Sequence, residues 1–576
     1  MALLLTPENL LGKDYKGKRG PALRRYRNLE NDRSSWRSHW QEISDYILPR
    51  RGKYLIESQN SRGRKRTSKI IDSSATQALR TMAAGMMSGM TSPSRPWFRF
   101  TSSDRTLMEN YEVQQWLSDI ETIIRAILQR SNFYTSMHTV YEELGGFGTA
   151  PLYRQRNFNS VIRFRPFTAG EYVIAENDEG VVDTVGRHFA MTVAQVVRKF
   201  VHQPEGSMDW KGASTATKRL WEQQNYDALV PVLHIIQPRP LAERNPSARD
   251  QTNMPFSSVY FEYGGDGDDL LFEGGFKRLP VYVPRWDVRP GDIYGQSPGM
   301  ETLPDVKQLQ HQQKRLAQAI DKMVNPPMVA SVQLRGKPTS VLPGSNTYVD
   351  PSQGSQGFTP AYMVQPRVNE MMMSIQEVQE RIQRGFFADL FAMMINSDRR
   401  QITATEVAER HDEKLVLLGP VLQRVNTELL DPVLDDVFEF AMEAGLLPEP
   451  PSALQGSEID VEYISLLAQA QQAVSSASIE RTLSFAGNLA AVFPNITDII
   501  DADEALRQYA DSLGNDPAIL RDAAAVDKMR GERQASQERQ TALENATQGA
   551  QAAKVLSEAD TQNPNALTSL IGGQSV

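Results

Sequence analysis

The chain has 576 residues, of which 40% are hydrophobic and 23% charged, with no cysteine and a formal net charge of −8; this suits a core-forming protein of several domain-sized units and argues against disorder throughout. The missing cysteine excludes disulfides, thiolate catalysis and Cys-ligated metal centres, and points to a cytoplasmic folding compartment. No run approaches the ~18 apolar residues of a membrane span, and the N-terminus turns acidic too early, at Glu8, for a signal peptide.

In chain order, the first 150 residues read as helical. Leu29, Trp36, Trp40, Ile43 and Ile47 recur at three-, four- and seven-residue steps until Pro49 closes the run. A second helix opens on Asp72 and Ser73 as N-cap and runs through Leu79, Met82 and Met86 to Met90. A third carries Val113, Trp116, Leu117, Ile120, Ile124, Ile127 and Leu128. From about residue 150 to 290 the pattern alternates instead. Residues 172–175 and 181–189 flank Asn177-Asp-Glu-Gly180, a hairpin signal, and 229–237, 257–263 and 279–283 read as further strands. Short helices are expected near 192–200 and 213–224.

Residues 305–323 and 370–390 form two helical patterns of 19 and 21 residues, roughly 28 and 31 Å long. Each has a narrow apolar stripe: Val306, Leu309, Leu316, Ile320 and Met323 on the first, Met371, Ile375, Val378, Ile382 and Phe386 on the second. Residues 324–369 between them hold seven Pro and four Gly, so two matched rods with a small protruding module are expected. A polar loop follows at Asn396-Ser-Asp-Arg-Arg-Gln401. Thr403-Ala-Thr-Glu406 then offers a capping box for a helix that passes a kink at Gly419-Pro420 and ends near Gly445. A strand is expected at 459–464 and helices at 466–493 and 503–513. Residues 517–556, rich in Ala, Gln, Arg and Glu, read as a long helix that stands only if several copies pack side by side.

Charge is unevenly spread. Residues 1–70 hold 17 Lys/Arg against 7 Asp/Glu, and residues 420–520 hold 3 against 17. Either one end meets an anionic partner while the other presents a repelling acidic surface, or the two attract each other within or between subunits.

Catalytic signals fail on inspection. Gly295-Gln-Ser297-Pro-Gly299 fits the G-x-S-x-G nucleophile elbow, but Pro298 has no backbone N–H to give an oxyanion hole. The motif reads instead as a tight turn into the first rod. There is no G-x-x-x-x-G-K-[ST] phosphate loop and no H-E-x-x-H among the seven histidines. Gly264-Gly-Asp-Gly-Asp-Asp269 lacks Ca²⁺-loop spacing and reads as a hairpin tip. Arg62-Gly-Arg-Lys-Arg66 is a basic loop, solvated or partner-binding, and the acidic whole argues against tight duplex binding more than against transient contact.

Gly85-Met-Met-Ser-Gly-Met-Thr-Ser-Pro-Ser-Arg-Pro-Trp-Phe98, Tyr294-Gly-Gln-Ser-Pro298 and Ile402-Thr-Ala-Thr-Glu406 stand in an order and spacing that resembles the portal, or head-to-tail connector, proteins of short-tailed bacteriophages. The resemblance covers roughly residues 25–500. It implies an α+β, predominantly α-helical subunit: a wing over 1–300, helical to about 150 and then β-rich; stem helices 301–323 and 370–390; a clip at 324–369; a channel loop at 391–402; a long kinked helix with wing or crown at 403–515; a barrel helix at 516–556; and a disordered tail at 557–576. It further implies a homo-oligomeric ring of twelve at one capsid vertex of the virion, made in the host cytoplasm, with double-stranded DNA passing through it. The expected partners are a terminase packaging motor, major capsid and scaffold proteins and a tail adaptor. No cofactor, metal, membrane or catalysis is expected. Arg399 and Arg400 in the loop, with Lys307, Lys314 and Lys322 on the first rod, are the expected weak DNA contacts, the lysines facing either the lumen or a neighbouring subunit. Arg335 and Lys337 would meet the motor or adaptor, and the acidic 420–520 region would repel phosphates. The alternatives are another virion structural protein, internal to head or tail, and a serine hydrolase at Ser297.

Overall fold

The computed structural model describes residues 17–49, 51–52 and 67–330 except 103, 109, 204, 246 and 249, then 332, 335, 358–361, 367–396, 417–454, 458–465, 467–469 and 523–558, with 485, 486, 503 and 506 as isolated positions. The basic loop 62–66, the capping box 403–406, most of the helices expected at 466–493 and 503–513, and the tail beyond 558 lie outside the described residues. The chain divides into two compact units, residues 1–475 and 476–576.

The opening helical pattern is two helices, α1 (Arg19–Asp32) and α2 (Ser34–Tyr46). They part at Arg33, whose buried guanidinium donates to the carbonyls of Gly170 (3.2 Å) and Tyr172 (2.5 Å). Helix α3 (Ser74–Met90) starts where its cap signal stood, and it is Asp72 whose Oδ1 accepts from the Ser74 N–H at 2.8 Å. Strand β1 (Phe98–Thr101) and helices α4 (Arg105–Met108), α5 (Tyr111–Arg130) and α6 (Phe133–Phe147) follow. The α6 sequence shows no amphipathic period because the helix is buried on nearly every side. It crosses α3 at close range: a Cβ on Gly145 would lie 1.9 Å from Met82 Cε.

Strands β2 (Leu152–Asn157), β3 (Val161–Pro166), β4 (Tyr172–Glu176) and β5 (Val182–Thr192) lead to α7 (Val193–Val196), which runs on as a π-turn over Val197–Val201, and to α8 (Thr215–Glu222). Strands β6 (Leu229–Pro238), β7 (Phe256–Glu262), β8 (Phe272–Phe276) and β9 (Val281–Tyr282) complete the region. They form two antiparallel sheets, ordered β3-β2-β9 and β4-β5-β6-β7-β8. Alternation along β6 serves both sides of the larger sheet: Leu233 and Ile235 pack with Leu23, Tyr26 and Leu29 of α1, while Val230 and Val232 pack with Val193, Val196 and Val197. The acidic Gly264–Asp269 run is the β7–β8 turn, as its composition predicts. Buried Arg19 fastens it by donating to the carbonyls of Glu262 (2.8 Å), Gly265 (3.0 Å) and Gly267.

Helix α9 (Pro298–Val324) and α10 (Val368–Gly385) are the two rods, with the short ladder of β10 (Met328–Val329) and β11 (Thr359–Pro360) between them. They are not matched in length. With 27 and 18 residues they measure roughly 40 and 27 Å. The first extends back through Pro304 because Met300, Thr302 and Leu303 are buried, so packing overrides the proline. The second stops where Phe387 takes φ 52°, and α11 (Ala388–Asn396) follows. Past the undescribed stretch, helical turns from residue 417 lead through a π-turn at Asn426–Leu430 into α12 (Asp431–Glu443). That departure from α geometry sits just before Pro432, which lacks an N–H; the chain leading into the kink expected at Gly419-Pro420 lies outside the described residues. Strand β12 (Asp460–Tyr463) returns to pair antiparallel with β1, and Trp97 stacks between Phe133 and Tyr463. One continuous core joins α2, α3, α5, α6, the smaller sheet, the first half of α9, α10, α11 and α12. In the second unit, α13 (Ala523–Glu558) is exposed at every position from 528 to 548.

Candidate nucleic-acid interface

The rods pack antiparallel. A Cβ on Gly385 would meet Thr302 Cγ2 at 2.3 Å, Arg381 reaches Asp305 at 3.1 Å, and Gln312 donates to Ser374 Oγ at 3.1 Å. Val306 and Leu309 are buried with Ile375, Val378, Ile382 and Phe386, as both stripes predict. The far halves differ. Ile320 and Met323 on α9 are 44% and 53% exposed. The apolar stripe therefore outruns its partner within one chain.

A polar hub that the sequence gave no reason to expect ties the rods to α3. Asp72 Oδ2 accepts from Gln313 Nε2 (2.9 Å) on α9 and Gln379 Nε2 (2.8 Å) on α10. The Asp72 carbonyl accepts from Gln310 Nε2 (2.9 Å), and the Ile71 and Asp72 N–H groups donate to Gln310 Oε1 (2.6 and 2.8 Å). Burial pushes the Asp72 pKa up, but hydrogen bonds from Ser74, Gln379 and Gln313 outweigh it and hold the carboxyl below its ordinary value. The only sequence signal was the N-cap, which Asp72 also serves.

The sequence-predicted basic residues fall into three groups. Lys307 is bound within its own chain, its Nζ 2.8 Å from Glu42 and 5.9 Å from the centre of the Tyr46 ring. Lys314 and Lys322 are exposed. At 100° per residue they lie about 80° apart, separated by roughly 12 Å along α9. Arg335 is exposed, while Arg399, Arg400 and Lys337 lie outside the described residues. Lys314 and Lys322 thus make a thin cationic strip on a rod, able to touch phosphates or a neighbour's carboxylates weakly.

The acidic segment behaves differently from an open wall. Glu428 holds Arg285 at 2.7 Å, and Asp436 meets Arg154 and the Tyr282 hydroxyl, each at 2.5 Å. Glu439 and Glu443 share Lys277 (2.9 and 3.2 Å), Glu443 also binds Arg156 (2.5 Å), and Asp431 accepts from the Tyr463 hydroxyl. Between 428 and 443 these carboxylates are neutralised by the chain's own smaller sheet and its flanks. Two N-terminal cations likewise find partners within the chain: Lys18 with Glu273 (2.5 Å) of β8 and Arg51 with Glu142 (2.6 Å) on α6. Attraction within the subunit is real, and among the described residues these pairs join both charged segments to the middle of the chain.

Ser297 is 1% exposed. Its Oγ donates to the Gly146 carbonyl (2.7 Å) and accepts from the Met300 N–H (3.0 Å), so the hydroxyl caps α9 instead of facing a substrate. Tyr294 beside it packs on Trp36 and Trp40. Among the described residues no group of three His, Asp or Glu is placed to hold a metal ion, and no helix is long and apolar enough to cross a membrane.

Comparison with known proteins matches residues 19–520 to the family described as bacteriophage head to tail connecting protein. The probable portal protein of Bordetella phage BPP-1 is 44% identical over 549 residues, covering 95% of this chain and 96% of that one. The portal protein of Salmonella phage epsilon15 is 40% identical over 549 residues, covering 95% and 97%.

Proposed function

The chain belongs to the bacteriophage head-to-tail connecting, or portal, protein family, and from that premise we propose how its parts serve a ring-shaped channel at one capsid vertex. Twelve copies surround a lumen through which double-stranded DNA enters under a separate packaging motor and later leaves. Residues 1–300 form the wing, α9 and α10 the stem, 324–369 the clip that meets motor and tail adaptor, 391–402 the channel loop, and α13 part of a barrel of twelve helices.

The observation that carries this reading is the apolar stripe that continues, exposed, along the far half of α9. A lone subunit leaves Ile320 and Met323 in water, whereas a neighbouring copy would cover them. The polar α13, long and without an apolar face, has the same need for copies of itself. Arg399 and Arg400, with Lys314 and Lys322, supply few and weak phosphate contacts, which lets a duplex slide.

Light scattering on the purified protein, with negative-stain images of the same peak, tests the assembly. Twelve copies of the 64.6-kDa chain give roughly 775 kDa and a ring with a central hole. A stable monomer or dimer at micromolar concentration would overturn the ring, while leaving family membership intact.

A further inference from the structure

The two faces of the β2–β3 hairpin treat arginine differently. Arg154 and Arg156 of β2 lie across from Phe164 and Ile162 on the inner face, stack on Phe440, and are paired with Asp436 and Glu443 of α12. Arg163 and Arg165 alternate with those buried residues on the outer face and are exposed. Among the described residues no carboxylate pairs with either. Lys199, exposed on the π-turn after α7, continues the same basic neighbourhood. Its ammonium rests 4.4 Å from the centre of the Tyr260 ring and 5.0 Å from that of Phe200, again with no carboxylate partner. Partial desolvation of its ammonium, then the charges of Arg165 and Arg187, hold the Lys199 pKa below its ordinary value. Glu171, next in that neighbourhood, is taken by buried Arg187. A chain that neutralises its other β-sheet arginines so carefully leaves this strip of cations uncompensated.

At the end of the strip the hairpin tip presents Phe158, fully exposed. The tip nonetheless has a defined backbone turn. Asn157 Oδ1 accepts from the N–H groups of Asn159 (2.9 Å) and Ser160 (3.1 Å) and from Ser160 Oγ (3.2 Å). Val161 closes the turn at φ 63°, a left-handed conformation that a β-branched residue adopts only under constraint. A fully exposed aromatic at a strained turn beside unpaired cations has the composition of a protein-binding surface.

We propose that Phe158, Arg163, Arg165 and Lys199 form a docking site for an acidic segment of another protein, with Phe158 as its apolar anchor. From Arg165 to Val161 the strip runs about 13 Å, which matches two to three turns of an acidic helix at ~5.4 Å each. A duplex would need a longer row of cations and no aromatic anchor, and the chain's net charge of −8 opposes a general polyanion field.

The test uses the full-length assembled protein and a fluorescent amphipathic Glu/Leu peptide, at low and physiological salt, with a short DNA duplex and inorganic phosphate as competitors. Saturable, salt-sensitive binding is expected, weakened tenfold or more by Arg163→Glu with Arg165→Glu and also by Lys199→Glu. Phe158→Ser should weaken it several-fold without changing the salt dependence, and Arg130→Glu on α5 should leave it intact. The milder pair Arg163→Gln with Arg165→Gln serves if charge reversal impairs folding. Absence of saturable binding at low salt, equal loss in the Arg130→Glu control, or displacement by the duplex at lower concentration than by unlabelled peptide would each overturn the proposal. Displacement by inorganic phosphate at concentrations far below those that screen charge would overturn it too, since the site would then be a simple anion pocket.

Discussion

Glu143 is 1% exposed on α6, where its carboxylate accepts from Thr168 Oγ1 (2.8 Å) and the Ala169 N–H (3.3 Å) and shares Arg51 with Glu142. Burial pushes its pKa up to about 7; Arg51 and the two hydrogen bonds pull it down, and Glu142 adds to the rise. The folded value exceeds the unfolded one, so the folded chain holds an extra proton between about 4.5 and 7. The associated stability is full below the unfolded value and is lost as pH rises through about 7, on the order of a few kcal/mol. Thermal unfolding should therefore show a steeper loss between mildly acidic and mildly alkaline pH for the wild type than for Glu143→Gln. Parallel curves would mean that the carboxyl is charged throughout. Sequence marked Glu143 only as one acid in a helix, since burial on all sides of α6 is a tertiary fact. By contrast Tyr294, Gly295 and Ser297 stood out as a motif before their roles were visible. The structure supplies the reason: a Cβ on Gly295 would meet the Gly148 carbonyl oxygen at 2.3 Å, and Ser297 caps α9.

Among the elements, α12 packs Val433, Leu434, Val437 and Phe440 into the core that it shares with the smaller sheet, and a buried ion pair also joins the two. Asp436 and Arg154 are both nearly inaccessible, and removing one leaves the other unpaired in the core. Asp436→Ala is expected to cost about 3–5 kcal/mol, read as a lowered chemical-denaturation midpoint. The double variant Arg154→Met with Asp436→Leu should recover most of that loss, because replacing both charges removes the desolvation penalty as well. A double variant as unstable as the single would point to backbone disruption instead. Period alone revealed the rods and the hairpin of β4 and β5. It misjudged rod length, because a proline ends a helix in isolation but not where Met300 and Leu303 are already packed. It also missed the division of the strands into two sheets, which depends on β9 pairing with β2 across more than a hundred residues.

For the whole molecule, the exposed half of the rod stripe makes assembly the quantity to watch. Ile320→Ser with Met323→Ser should leave the subunit's circular dichroism and unfolding midpoint nearly unchanged, since both side chains are exposed in one chain. The same variant should shift the light-scattering mass away from the ring. An unaltered ring would place the intersubunit contact elsewhere. Charge reversal at Arg399 and Arg400 is expected to do the opposite: ring assembly stays intact while DNA packaging or retention falls, measured as genome content per particle. Normal genome content and infectivity would sink the loop assignment.

Sequence by itself determined the features that depend on neighbours in the chain: helix starts such as Asp72 and Ser73, the hairpin turn at 177–180, the two rods with their proline-rich insert, and the motif order that marks a portal protein. Those signals are local, because caps, turns and periodicity act over a few residues. Tertiary structure decided what long-range pairing controls. It closed the Asp72 hub between helices more than two hundred residues apart, turned the carboxylates of α12 inward onto Arg154 and Arg156, and left Arg163, Arg165 and Lys199 without a counter-charge. Composition reports how many charges a segment carries, whereas the register of β2 against β3 decides which of them face a partner.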